Sequence, residues 1–245
     1  MLMQLSCGCC RRGTRVYTDY FRAVLSGQYA PAKNALEAKS GLTVDELLPS
    51  SLADLDDCAI YCLGTFGNTL GAFPNNGGIM TLNSTQRGII ASWVNGGGKL
   101  LCSVDYKDLY TSGGVLISRL MDSSFYTQLA ALISAAGGSL TFGAEDAVAP
   151  GVSAPWPLAS FLSDAWTTGI SGQIEYDGSA GSSIANGTQL FAPDTKNTIV
   201  KEQCGSGWVV CFASRNALWG NQDISQGTPT GYTAMTQFLE FYYDL

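Results

Sequence analysis

The stretch NGGGKLLCSVDYKDLY, Asn95 to Tyr110, holds the residues of this chain best placed to do chemistry. It reads as a helix stop, a buried strand and a loop, and the end of such a strand is where α/β enzymes set a nucleophile. Cys102 lies within the strand, and Asp105 stands at the corner after it. Either would need a partner to move a proton, and the chain contains no histidine. That absence removes the Ser-His-Asp triad, the Cys-His pair and every zinc site built on imidazole. It also removes the commonest general base near neutral pH. The expectation is a protein that is not an enzyme, with no catalytic residue, metal or cofactor.

Open α/β sheets bind ligands beyond the carboxyl ends of their strands. Here that edge comprises Gly64, Thr65 and Asn68 after one strand and Asp105, Tyr106 and Asp108 after the next. Asp105 there accepts hydrogen bonds from ligand hydroxyls or, more simply, caps the turn while the loops are solvated. Two tryptophans, Trp156 and Trp166, could add stacking faces for a sugar. A glycosidase would further require a second carboxylate at a defined separation. Asp54, Asp56 and Asp57 lack calcium-loop spacing and read as a turn before a strand. CGSG and NGGG lack the Lys-Ser or Lys-Thr end of a phosphate loop and read as turns. The sequons at Asn83 and Asn186 matter only in a secretory route.

Of the 245 residues, 46% are apolar and 13% charged, against about a quarter charged in ordinary chains. Twenty-nine glycines with many Ser and Thr take the place of the missing charges. A net charge of −7 without a basic stripe argues against nucleic acid as a partner. No apolar run approaches the roughly 18 residues that cross a bilayer. The opening MLMQLSCGCCRRG reads as a first buried strand and a turn, not a secretory signal. Of eight cysteines, Cys58, Cys62, Cys102 and Cys211 sit in apolar runs, as reduced, structural thiols do. Cys7, Cys9 and Cys10 fall one ligand short of a closed zinc site. A reducing intracellular compartment or a virion therefore suits the chain better than a disulfide-dependent secreted form.

The elements that would position these residues follow from periodicity. GTRVYTDYFRAVLSGQ puts Val16, Tyr20, Ala23 and Val24 on one helical face, with Thr14 as N-cap. Residues 29–41 are ambiguous, with room for a short strand, and LTVDELLPSSLADLDD reads as a short helix broken at Pro49. CAIYCLG is a continuous apolar run, as a strand buried on both faces requires. LNSTQRGIIASWVNGGGK is a capped helix stopped by glycines, with Ile89, Ile90, Trp93 and Val94 inward. KLLCSVDY is the next strand. A second amphipathic helix spans VLISRLMDSSFYTQLAALISAAGG, interrupted near Asp122, and SLTFGAED gives another strand. Residues 145–190 form an irregular, β-rich insertion. TQLFAP, TIVKEQ and GWVVCFAS are strands, the last two joined at CGSG, and a helix with Met235, Phe238, Leu239 and Tyr242 inward closes the chain.

CAIYCLG, LNSTQRGIIASWVNGGGKLLCSVDY and SGWVVCFASRNALW together resemble the class I glutamine amidotransferase-like superfamily. The resemblance covers residues 50–110 well and 190–245 loosely. It implies an α/β, flavodoxin-like three-layer sandwich with a mostly parallel sheet, one domain over residues 1–245. Active members carry a Cys at the strand-to-helix elbow with His and Glu or Asp supplied later. Here the elbow falls near Asp105, so the resemblance implies a non-catalytic branch, such as the trehalose-utilisation and galactosidase-associated types that lack the full triad.

The reading these features favour is a structural or interaction module, a subunit of a larger assembly, with protein partners or self-association. A viral particle is one such setting. The alternative is a carbohydrate-binding or carbohydrate-processing protein that uses the strand-end pocket.

Overall fold

A computed structural model of the chain describes residues 13–19, 30–64, 82–103, 106–110, 116–121, 123–143, 158–175, 183–193, 199–213 and 232–245. The early parallel strands are β1 (Arg15–Thr18), β2 (Asp45–Glu46), β3 (Cys58–Gly64) and β4 (Lys99–Ser103). Four short strands, β5 (Tyr106–Tyr110), β6 (Leu116–Met121), β7 (Thr141–Phe142) and β8 (Leu158–Ala159), come next. They are followed by β9 (Ile174–Glu175), β10 (Ile184–Ala185), β11 (Thr188–Phe191), β12 (Ile199–Cys204) and β13 (Gly207–Phe212). The helices are α1 (Ala30–Ser40), α2 (Ser84–Asn95), α3 (Ser123–Ala135) and α4 (Tyr232–Asp244).

Seven strands form one sheet in the order β11-β12-β13-β4-β3-β1-β2. The run from β2 to β13 is parallel, and β12 and β11 extend it as antiparallel neighbours. Ranked by chain position, the five parallel strands lie 2-1-3-4-5, the flavodoxin-like order. Three further pairs, β5 with β6, β7 with β10 and β8 with β9, stand apart from this sheet.

Strict alternation splits the strands' side chains between two layers. Tyr61, Leu63, Leu100, Cys102, Val209 and Cys211 face a core shared with α2 and α3. Ile60, Cys62, Leu101, Val210 and Phe212 face the core under α1 and α4. Burial on both faces is why CAIYCLG reads as an unbroken apolar run, and β3 takes those seven residues. Asn83 caps α2, accepting the Gln86 N–H at 3.0 Å while the Gln86 side chain accepts the Asn83 N–H at 2.8 Å. Ile90, Ala91 and Val94 are its buried residues, and Ile89 and Trp93 are partly covered. Met235, Phe238, Leu239 and Tyr242 of α4 are fully buried, as their spacing predicts. The β12–β13 hairpin turns on Gly205, whose φ of +61° a two-residue turn requires.

Four expectations need correction. Residues 15–18 are strand, not helix: Val16 and Thr18 are β-branched, and pairing of Val16 with Ile60 satisfies their backbone in the sheet. Thr14, expected as a cap, starts this pairing by donating its N–H to the Asp57 carbonyl at 2.8 Å. Residues 30–40 are helix, built on alanine and leucine with Ala32, Ala35 and Leu36 buried. The stretch expected as a helix broken at Pro49 is instead β2 followed by a 3-10 turn at Leu52–Leu55. Residues 116–121 pair antiparallel with β5, so the second helix begins only at Ser123, beside the expected break at Asp122.

Candidate functional site

In a 2-1-3-4-5 sheet the order reverses between β1 and β3, and a ligand crevice opens outside the carboxyl ends of those strands. Here the parallel strands end at Thr18, Gly64, Ser103 and Phe212, with Gly64 paired to Ser103. Among the described residues, three of the five buried polar side chains lie at this end: Thr18 and Asp19 close β1, and Ser103 closes β4. The Asp19 N–H donates to the Cys62 carbonyl at 3.3 Å, which carries the β1–β3 ladder one residue past the strand. Asp19 was absent from the residues singled out by sequence, because VYTD was read as the interior of a helix. The usable signal was a strand run ending on an acidic residue.

The thiols near this edge are sealed. Burial first, and the Asp19 carboxylate second, push the Cys62 thiol up to about 12. Burial also holds the Cys102 thiol well above its ordinary value, helped by its hydrogen bond to Cys211, its partner across the β4–β13 ladder. Cys58, at the start of β3, is raised by burial too, and Cys204 reaches about 12 by burial and by Glu202. A thiol so raised stays protonated near neutral pH, and the thiolate is the nucleophile. The five described cysteines, Cys58, Cys62, Cys102, Cys204 and Cys211, are unpaired and buried. In a variant with Cys7, Cys9 and Cys10 changed to Ser, a chromogenic disulfide reagent should find no fast thiol until denaturant is added. Rapid labelling mapped to Cys62 or Cys102 in the native chain would contradict that expectation.

The residues singled out by sequence are not all brought together. Gly64 ends β3 beside Ser103. Tyr106 and Asp108 lie on β5, opposite Met121 and Arg119, in the separate ribbon with β6. Thr65, Asn68, Asp105 and Trp156 lie outside the described residues. Trp166 is buried in the core under α4. Its ring meets Trp208 edge-on with centroids 4.6 Å apart, and the Lys201 ammonium sits 4.5 Å from its centroid. Trp208 pairs with Lys99 at the amino end of β4, whereas Ser103 ends that strand. Four residue steps separate those rows, roughly 13 Å along the strand, so Trp166 stands away from Gly64. Among the described residues no group of three or more His, Cys, Asp or Glu side chains could hold a metal ion. No described helix is long and apolar enough to cross a membrane.

No protein-family model matches the chain, and no curated protein matches it in sequence. Among solved structures, the N-terminal domain of mmIFT52 superposes with a TM-score of 0.54 at 10% identity, over 90% of this chain and 92% of that domain. A ThuA-like protein from Bacteroides uniformis is 10% identical over 97% of this chain and 94% of its own, with a TM-score of 0.42. The β-galactosidase from Bacillus circulans sp. alkalophilus is 14% identical over 84% of this chain and 30% of its own, also at 0.42. The likeness to the mmIFT52 domain speaks for the fold alone, and the two lower scores carry no argument. The fold is α/β: a mostly parallel seven-stranded sheet in flavodoxin-like order between helical layers.

Proposed function

We propose that this chain is a non-enzymatic structural or interaction module, a subunit of a larger assembly. The observation that supports it best is the chemistry of the strand ends. Cys62, Cys102 and Cys211 are enclosed in the sheet's two cores, and the chain has no imidazole to activate a thiol or shuttle a proton. The weakly charged, Gly-, Ser- and Thr-rich composition suits a surface packed against neighbours, a viral particle among the settings it fits. Unpaired cysteines suit a reducing compartment. The matched mmIFT52 segment is itself named as one domain of a longer chain.

Sedimentation and light scattering of the purified chain test this. Self-association, or solubility that depends on an added partner, is expected. A strictly monomeric and freely soluble chain would count against the assembly role. Turnover of an amide or glycoside, abolished by Cys102→Ser or Asp105→Asn, would overturn the non-enzymatic part.

A further inference from the structure

Two of the buried cysteines meet across the centre of the sheet. Cys102 on β4 and Cys211 on β13 are register partners in the parallel ladder, and both are fully buried. Both belong to the core shared with α2 and α3, where Cys102 is hydrogen-bonded to Cys211. Among the described cysteines no other two are register partners. Cys58 pairs with Arg15, Cys62 with Thr18 and Leu101, and Cys204 with Gly207. Cys62 also faces the opposite core. Cys58 and Cys62 stand four residue steps apart on β3, roughly 13 Å along the strand. Cα atoms more than about 7 Å apart cannot be bridged without moving the backbone.

Neighbouring strands run about 4.8 Å apart, so the Cα atoms of register partners fall inside the range that a disulfide spans. A bond between Cys102 and Cys211 would join two central strands and close roughly 110 residues of chain into a loop, which takes freedom from the unfolded state. Full burial denies reagents access to either thiol in the native sheet, so the bond forms while the chain folds or opens.

The exchange needs an oxidant from solution, a low-molecular-weight disulfide such as oxidised glutathione. The thiolate of one cysteine attacks a glutathione sulfur, breaks its S–S bond and releases one glutathione thiolate. The second cysteine loses its proton and attacks the protein sulfur of that mixed disulfide, which releases the other glutathione. Two cysteine thiols lose two electrons and two protons, and one glutathione disulfide becomes two thiols. Once the core closes, the same burial shields the new bond from reductant.

We propose that Cys102 and Cys211 are a latent cross-strand lock, a dithiol when the chain folds in a reducing compartment and a disulfide when it folds in an oxidising one. The lock concerns how firmly the central strands hold, whatever the chain assembles with.

The test uses the full chain with Cys7, Cys9 and Cys10 changed to Ser, unfolded in urea and refolded in either reduced or oxidised glutathione. Remaining thiols are alkylated in denaturant, and linked peptides are mapped by mass spectrometry after proteolysis. The oxidised sample is expected to carry the Cys102–Cys211 link, with Cys58, Cys62 and Cys204 alkylated. Its urea midpoint should lie about 1 M above that of the reduced sample. Dithiothreitol should remove the difference quickly in denaturant and slowly in the native state. Cys102→Ala and Cys211→Ala, each checked by circular dichroism, should show the same midpoint in both buffers. Comparing buffers within one variant keeps the test independent of what the substitution itself costs, and the link map of the parent stands even where a variant does not fold. Absence of the link, links scattered among all five cysteines, or a linked chain with an unchanged or lower midpoint would each overturn the lock.

Discussion

Tyr242→Ala is expected to lower the unfolding free energy by about 3–5 kcal/mol, the range for truncating a large aromatic in a packed core. Tyr242 lies in the last turn of α4 and is fully buried. Its ring stacks on Phe238 at an interplanar angle of 4° and meets Trp166 at 5.8 Å. The hydroxyl donates toward two carbonyls, Leu100 on β4 at 3.0 Å and Trp208 on β13 at 3.2 Å. One side chain therefore ties the final helix to two neighbouring central strands. Burial holds its phenol well above the ordinary value, so the donor persists wherever the chain is folded. The ring and the hydroxyl are separable: Tyr242→Phe should cost only about 1 kcal/mol, the net worth of a hydrogen bond. Urea titration should show the midpoint falling for both variants with an unchanged slope. An alanine variant within about 1 kcal/mol of the parent would mean that α4 does not close this core.

The same helix shows what the sequence makes legible. Met235, Phe238, Leu239 and Tyr242 recur at helical spacing, and each is buried because a helix lying on a sheet hides one stripe. CAIYCLG and GWVVCFAS are readable for a related reason, since a strand buried on both faces has no polar alternation to confuse it. β1 was not legible. Val16 and Tyr20 sit four apart, which mimics a helix, and only pairing with β3, more than forty residues on, makes RVYT a strand. That error hid Asp19, so a carboxylate buried at the strand ends went unnoticed. β6 failed in the same way, because LISRLM takes its conformation from pairing with β5. Trp166 was legible as a stacking face, but not as a ring over a buried lysine. That contact depends on β12 bringing Lys201 to residues 158–175, which no local pattern encodes.

That lysine sets the second large effect. Lys201 on β12 is 9% exposed, pairs with Asp164 and lies over the Trp166 ring. Asp164 also accepts the Trp166 backbone N–H at 2.8 Å, so one carboxylate both fixes the turn and neutralises the ammonium. Burial alone would raise the Asp164 carboxyl. The hydrogen bond from Lys201, the Trp166 N–H and the lysine's charge outweigh it and hold the group below its ordinary value of 3.8. A carboxyl depressed in the folded state stabilises the fold above its unfolded value and loses that contribution as pH falls through the folded one. The pair should thus act in full at pH 7 and fade below 3.8. Asp164→Ala leaves a nearly buried ammonium without its counter-ion and should cost about 3 kcal/mol at pH 7. Asp164→Asn keeps an acceptor for the Trp166 N–H, so its smaller loss isolates the charge. Asp164→Leu with Lys201→Met removes both charges and should recover most of the stability, because breaking a buried pair costs more than replacing it. Denaturation of the four proteins from pH 7 to pH 2 decides the matter. The double variant should lose less stability than the parent on acidification, and an Asp164→Ala protein as stable as the parent at pH 7 would show that Trp166 alone shelters Lys201.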